Sequence, residues 1–209
     1  MRLTHYGHAC VLIETDDARL LFDPGTLSTG FEALRDLTAF LVSHEHPDHL
    51  DAARIAALMT ANPDATVYCE AGCVDDLADS NPVVANGGER LEFGSTLVEV
   101  HGGQHADIFE GFPGSGNLAF LVDGGRYLHP GDAFPIPDAK VDVLGLPIAA
   151  PWLKLADAIA YVRAVGPRVA VPIHQGDLKD TATSYFMVGH FTPEGTDFHP
   201  VEQGVTTDL

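Results

Sequence analysis

The chain has 209 residues, with 11 Lys or Arg against 30 Asp or Glu, so its formal net charge is −19 at pH 7. Such a surface repels polyanions, which argues against nucleic acid as a partner and favours a small-molecule substrate of low charge. No apolar run approaches the ~20 residues of a membrane span, and the first residues lack the apolar core of a secretory signal. We therefore expect one domain, residues 1–209, in the cytoplasm and with no membrane partner, and leave a homo-oligomer open.

Short strands and helices alternate along the chain. The apolar run 38–43 predicts a strand buried on both faces, and residues 50–61 predict a helix. The other predicted strands lie at 3–13, 18–22, 65–69, 90–93, 96–100, 117–123, 126–129, 141–146 and 168–173. The other predicted helices lie at 71–79 and 153–165, and a polar tail follows residue 175.

A dense cluster of potential ligands follows the strand at 38–43. Residues 44–49 read His-Glu-His-Pro-Asp-His, so three imidazoles and a carboxylate fall within six residues. His44 and His46 point the same way in extended backbone, and Asp48 and His49 reach a second point after the bend. These ligand types suit zinc, iron or manganese, and the two pairs predict two divalent cations about 3.5–4 Å apart. The alternative is a helix start capped by Asp48 or Ser43, with the histidines solvated.

The pattern HxHxDH resembles the signature of the metallo-β-lactamase superfamily of metal-dependent hydrolases. The opening residues, YGHACVLIE followed by LLFDPG, resemble the branch that contains the ascorbate-phosphate lactonase. This resemblance covers nearly the whole chain. It implies an α/β fold, a four-layer αβ/βα sandwich with two facing mixed sheets and helices outside. Two batches of predicted strands, at 1–100 and 117–173, fit those two sheets.

The resemblance also implies a ligand set. His44, His46 and His105 hold one cation, Asp48, His49 and His174 hold the second, and Asp132 bridges the two. His101 competes with His105, because both flank a pair of glycines, and the resemblance favours His105.

Three polar residues outside that set are open to two interpretations. His8 either lines the site or is a structural histidine. Asp23 either accepts an N–H from a liganding imidazole or forms a turn. His129 is interpreted as structural rather than as a ligand.

Two segments are interpreted as walls of the substrate pocket. The loop 106–116 carries the aromatic pair Phe109 and Phe112, followed by Pro113, and its alternative is an ordinary connector. The stiff segment 147–152 ends in Trp152, and its alternative is an edge that this indole packs.

The ligand types and the resemblance predict a metal-dependent hydrolase. Two cations make water nucleophilic at neutral pH, and Asp48 is the predicted catalytic residue that takes a proton in addition to ligating. The predicted substrate is a small ester, lactone, amide or phosphodiester, and the lactonase resemblance favours a lactone or ester. Zinc is the favoured metal, with manganese or iron as alternatives. A diiron redox protein on the same scaffold and a non-catalytic metal-binding protein stay open.

Overall fold

The computed structural model describes residues 1–110, 112 and 114–209. Its strands are β1 (Arg2–His5), β2 (Val11–Glu14), β3 (Arg19–Phe22), β4 (Ala39–Val42), β5 (Thr66–Cys69), β6 (Val83–Val84), β7 (Arg90–Phe93), β8 (Thr96–Gln104), β9 (Gly116–Val122), β10 (Tyr127–His129), β11 (Val143–Pro147), β12 (Val169–Ile173), β13 (Asp197–Phe198) and β14 (Thr206–Asp208). Its helices are α1 (Ala52–Ala61), α2 (Leu155–Val165) and α3 (Ala182–Phe191). Single 3₁₀ turns lie at Ala71–Cys73 and Ala78–Ser80.

The strands form two mixed sheets of seven strands each. The first sheet has the order β14-β1-β2-β3-β4-β5-β6, and the second has the order β13-β12-β11-β10-β9-β8-β7. Strands β3 to β6 run parallel in the first sheet, as do β10 to β13 in the second. The remaining neighbours are antiparallel.

Successive side chains of a strand point to opposite faces of its sheet, and here they enter different cores. In β2, Val11 joins the core between the sheets, whereas Leu12 joins the core shared with α1. In β11, Val143 points inward, whereas Leu144 joins the core shared with α2. The layers are therefore helix, sheet, sheet and helix, which confirms the predicted αβ/βα sandwich.

The strand predicted at 3–13 is wrong, because residues 6–10 form a loop between β1 and β2. The amide of Cys10 donates to the carbonyl of Gly7 at 3.0 Å. Gly7 and His8 take φ values of 95° and 49°, in the left-handed region. The loop residues are all buried, so their apolar pattern is indistinguishable from that of a strand.

Three other sequence expectations need correction. Strands β7 and β8 belong to the second sheet rather than the first, because β8 pairs with β9 along its whole length. Residues 71–79 hold 3₁₀ turns instead of a helix. The tail after residue 175 contains α3, β13 and β14, and β14 closes the edge of the first sheet against β1.

Within the described residues, no helix has the length and apolar character that a membrane span requires.

Truncating a side chain of the inner core tests the packing between the sheets. Phe120 is fully buried in that core, so we expect Phe120→Ala to lower the free energy of unfolding by about 3–5 kcal/mol. Phe186 in α3 is 69% exposed, so Phe186→Ala should change it by less than about 0.5 kcal/mol. Urea denaturation of both variants gives the comparison, and equal losses would contradict the assigned core.

Candidate metal centre

One strand of the first sheet and three strands of the second end at the same edge of the sandwich. Polar residues follow each of these ends, and carboxyl ends of parallel strands are where α/β sheets place their sites. The segment 43–49 follows β4, His105 follows β8, Asp132 lies three residues after β10, and His174 follows β12.

The side chains at this edge form two groups of potential metal ligands. His44, His46, His105 and Asp132 make up the first group, and His8, Asp48, His49 and His174 make up the second. Within each group one ligand atom of every residue lies within 4.8 Å of the others. The structure thus brings together all seven residues that the sequence predicts as ligands, and it adds His8.

Asp132 lies between the two groups. Its Oδ2 is 3.3 Å from Nε2 of His105 in the first group and 3.1 Å from Nε2 of His174 in the second. Its Oδ1 is 3.0 Å from Nε2 of His49. This placement suits a carboxylate that bridges two cations.

Four of the imidazoles share one hydrogen-bonding arrangement. In each ring Nδ1 lies beside an acceptor that fixes its proton, so Nε2 is the nitrogen that can offer a lone pair to a cation. The pairs are His44 with Ser43 Oγ at 2.9 Å, His49 with Asp23 Oδ2 at 2.7 Å, His105 with the Ala106 carbonyl at 2.6 Å and His174 with the Ala149 carbonyl at 2.5 Å. Carbonyl and carboxylate oxygens only accept, and the Ser43 hydroxyl already donates to Asp23 at 2.7 Å.

The atoms that face one another across this centre lack ordinary partners. Nε2 of His49, Nε2 of His105 and Oδ1 of Asp132 are buried, and among the described residues none of them makes a hydrogen bond. A buried polar atom left unpaired costs about 1–3 kcal/mol. Two ligands of one zinc ion, each at about 2.0–2.2 Å from it, stand about 3–3.5 Å apart. The separations of 3.0–3.3 Å around Asp132 match this spacing, so the residues present fit a divalent cation.

A family model described as a beta-lactamase superfamily domain matches residues 2–174. The chain belongs to the metallo-β-lactamase superfamily. It is similar to Protein Rv0786c of Mycobacterium tuberculosis, with 41% identity over 212 residues that cover 99% of this chain and 100% of that protein. It is also 31% identical to a UPF0173 metal-dependent hydrolase of Carboxydothermus hydrogenoformans, over 93% of this chain and 92% of that protein.

A solved structure of a metallo hydrolase from the archaeon Ignicoccus hospitalis shares the superfamily fold. The TM-score is 0.75 at 19% sequence identity, and the alignment covers 100% of this chain and 98% of that one. This likeness shows the fold alone. The family match and the 31% identical relative place the chain among the metal-dependent hydrolases of the superfamily.

Asp23 holds one edge of the superfamily site in place. The carboxylate is fully buried and accepts from the Ser43 amide at 2.7 Å, from Nδ1 of His49 and, at 2.8 Å, from Nε2 of His129. Burial alone would raise the pKa of Asp23, but the charges of His129 and His49 outweigh it and lower the pKa. Of the two interpretations of Asp23, the geometry supports the one in which it orients a liganding imidazole.

Without a bound cation, the carboxylates of the centre favour the protonated forms of His174 and His49. Burial would lower the pKa of His174, but the carboxylate of Asp132 outweighs it and raises that pKa to about 9. For His49, burial is likewise outweighed by Asp132 and Asp23, and its pKa is raised well above the usual range. Burial lowers the pKa of His44 well below its usual range, and the charge of His49 adds to that effect.

Trp152 is closer to the metal centre than its sequence position indicates. Its indole N–H donates to Oδ2 of Asp132 at 2.7 Å, and its ring lies edge-on to that of His105, with centroids 5.8 Å apart. The sequence gives no signal for this bond, because Trp152 and Asp132 are twenty residues apart in unrelated loops.

The predicted wall residues are only partly at the site. Phe112 lines a cavity with His46 and His105, whereas Phe109 is 75% exposed. Pro113 lies outside the described residues. Five other histidines lie outside both ligand groups: His5, His101, His129, His190 and His199.

Removing the charge of Asp23 tests its role in orienting the site. We expect Asp23→Asn to lower the free energy of unfolding by about 3–5 kcal/mol, because two imidazole N–H groups lose a buried charged partner. Zinc affinity should fall about 10–100-fold, since the His49 tautomer is no longer fixed. Denaturation and chelator competition measure the two effects. Asp16→Asn, at an exposed turn, is the control and should change neither.

Because the pKa of His174 is raised in the folded state, the stability of the metal-stripped protein should depend on pH in a specific way. The folded value is about 9 and the unfolded value is 6.5, so the proton on His174 stabilises the fold fully below about pH 6.5. That stability is lost as the pH rises through about 9, at up to about 1.4 kcal/mol per pH unit for one proton. We expect urea denaturation after chelation to show this fall between about pH 7.5 and 9, and His49 shifts in the same direction.

The zinc-saturated protein is the control, because bound cations replace those protons. Its stability should vary much less over the same range. A stripped protein whose stability rises from about pH 7.5 to 9 would contradict the assigned protonation.

Proposed function

We propose that this superfamily member hydrolyses a small ester, lactone, amide or phosphodiester of low charge, with two divalent cations held at the strand ends. The observation that carries the proposal is the pair of ligand groups that share Asp132, with Nε2 of His49, His105 and His174 all within 3.3 Å of its oxygens. His44, His46 and His105 would hold one cation, Asp48, His49 and His174 would hold the other, and Asp132 would bridge them. A bound pair of cations lowers the pKa of water and neutralises charge that develops on the substrate oxygen.

Zinc is the proposed metal. Imidazoles outnumber carboxylates five to two in the proposed ligand set, and imidazole suits zinc, whereas a carboxylate-rich set would favour manganese or iron. Because the Nδ1 protons of four rings are fixed, their Nε2 atoms are already oriented for a cation, and this raises the affinity of the site for metal. The orientation does not favour a larger cation over zinc.

Asp48 is the proposed proton acceptor. Its side chain is 25% exposed, whereas that of Asp132 is only 3% exposed, so Asp48 is the ligand carboxylate that solvent reaches. Burial would raise the pKa of Asp48, but the neighbouring imidazoles of His174 and His8 outweigh it and hold that pKa far below its usual value. The group is therefore ionised at neutral pH, the state in which a carboxylate can ligate a cation.

The side chains around the small cavity beside the first ligand group support a substrate of low charge. Its described lining combines the ligands His46 and His105 with Ile108, Phe112 and the carboxylate of Asp107, and none of its described residues is Lys or Arg. A phosphorylated substrate needs positive side chains to offset its charge. The absence of such groups among the described lining residues favours an ester or a lactone within the proposed classes.

Metal analysis and a substrate panel test the proposed function. We expect about two zinc ions per chain and turnover of at least one ester, lactone, amide or phosphodiester. His46→Ala should lower kcat/KM by more than about 100-fold, because it removes a proposed ligand. His190→Ala, at an exposed histidine of α3, is the matched control and should retain both metal and activity.

Three outcomes would contradict the proposal in different ways. Iron with a visible chromophore would indicate a redox protein. Full metal content with no turnover across the panel would indicate a metal-binding protein. Equal activity of the His46 and His190 variants would show that turnover does not depend on this site.

A further inference from the structure

His8 differs from the other imidazoles of the second ligand group in its hydrogen bonds. The amide N–H of Gly176 donates to Nδ1 of His8 at 3.0 Å, so Nδ1 is the acceptor nitrogen of this ring. The proton of the neutral ring therefore lies on Nε2. That nitrogen is 2.9 Å from Oδ2 of Asp48 and donates to it.

We infer that His8 is a positioning residue, which fixes the carboxylate of Asp48 by a hydrogen bond and does not bind the cation itself. The inference rests on the proposed function, since Asp48 is there both a ligand and the proton acceptor. His8 lies close enough to Asp48, His49 and His174 to be a fourth ligand. Its Nε2, however, carries a proton, whereas a nitrogen must offer a lone pair to ligate.

The backbone around His8 is built to hold this ring. Its carbonyl accepts from the amide of His174 at 2.8 Å and from Nε2 of His5 at 3.0 Å. The side chain of His8 is fully buried, and its ring centroid lies 4.0 Å from that of His174. The loop after β1 is thus tied to the end of β12 by both backbone and side chain.

Gly176 sets the tautomer of His8. A Cβ at residue 176 would approach Nδ1 of His8 to 2.7 Å, which is closer than such atoms approach in proteins. Only glycine lets the amide at this position come near enough to donate to the ring. A side chain at 176 would therefore separate the N–H from Nδ1 and release the constraint on the proton.

The consequence for Asp48 is an orientation that the metal ligands alone do not impose. Nε2 of His174 and Nε2 of His49 lie 3.4 Å and 3.8 Å from Oδ2 of Asp48, distances that suit ligands of a common cation better than hydrogen bonds. His8 is the closest of the three nitrogens to that oxygen, and its N–H would hold the carboxylate in one rotamer.

Nitrogen NMR of the zinc-loaded protein tests the tautomer directly. In protein labelled with ¹⁵N-histidine, we expect the His8 ring, assigned by the loss of its signals in His8→Gln, to have its proton on Nε2 and an unprotonated Nδ1. The measurement does not depend on turnover, so it stands even if no substrate of the panel is cleaved. A His8 ring with its proton on Nδ1, or with Nε2 bound to zinc, would overturn the inference.

Metal affinity distinguishes a donor from a ligand. We expect His8→Ala to weaken one of two zinc sites about 10–100-fold in chelator competition and to leave the other unchanged. His8→Gln should recover most of this loss, because its side-chain amide offers an N–H at a similar reach. Gly176→Ala should weaken the same site while the His8 side chain is intact. Equal losses in His8→Gln and His8→Ala, or no loss in either, would contradict the positioning role.

Discussion

The buried carboxylate of Asp23 is the constraint on which this metal centre depends. A charge without solvent contact is tolerated only when donors surround it, and here the donors come from both sheets. Ser43 and His49 follow β4, whereas His129 ends β10, so Asp23 joins the two halves of the sandwich. The same bonds fix the protons of His44 and His49, because the Ser43 hydroxyl must donate to Asp23 and can then only accept from His44. The hydrogen bonds that join the two sheets are therefore the same bonds that orient the ligand imidazoles.

Much of this arrangement follows from local sequence. Apolar runs that end in polar residues mark the strands β4 and β12, and a strand end places His44 and His174 at an edge of a sheet whatever the rest of the chain does. The dense spacing of residues 44–49 likewise indicates a metal before any tertiary contact is known. These features are local, and local patterns are what a sequence displays most directly.

Other features depend on tertiary contacts that no local pattern encodes. The loop 6–10 is buried, so its apolar residues look like a strand, and only the left-handed backbone at His8 distinguishes the two. The assignment of β8 to the second sheet depends on its pairing with β9. The bond from Trp152 to Asp132 joins two loops, and the role of His8 depends on the amide of Gly176, 168 residues away along the chain. The sequence singles out His8 and Trp152 as candidates, but the contacts that decide between their alternative roles are not local.

The three buried or half-buried carboxylates of the centre differ in what surrounds them, and that difference separates their tasks. Asp23 accepts only from protein donors and has no solvent contact, so it orients rings. Asp132 shares its Oδ2 between Trp152 and two imidazoles, which leaves Oδ1 directed at His49 and suits a bridge. Asp48 alone of the three has a substantial exposed fraction, and its Oδ2 is occupied by the N–H of His8. A proton taken from water must finally return to solvent, and the exposure of Asp48 supports the proposal that this carboxylate carries it.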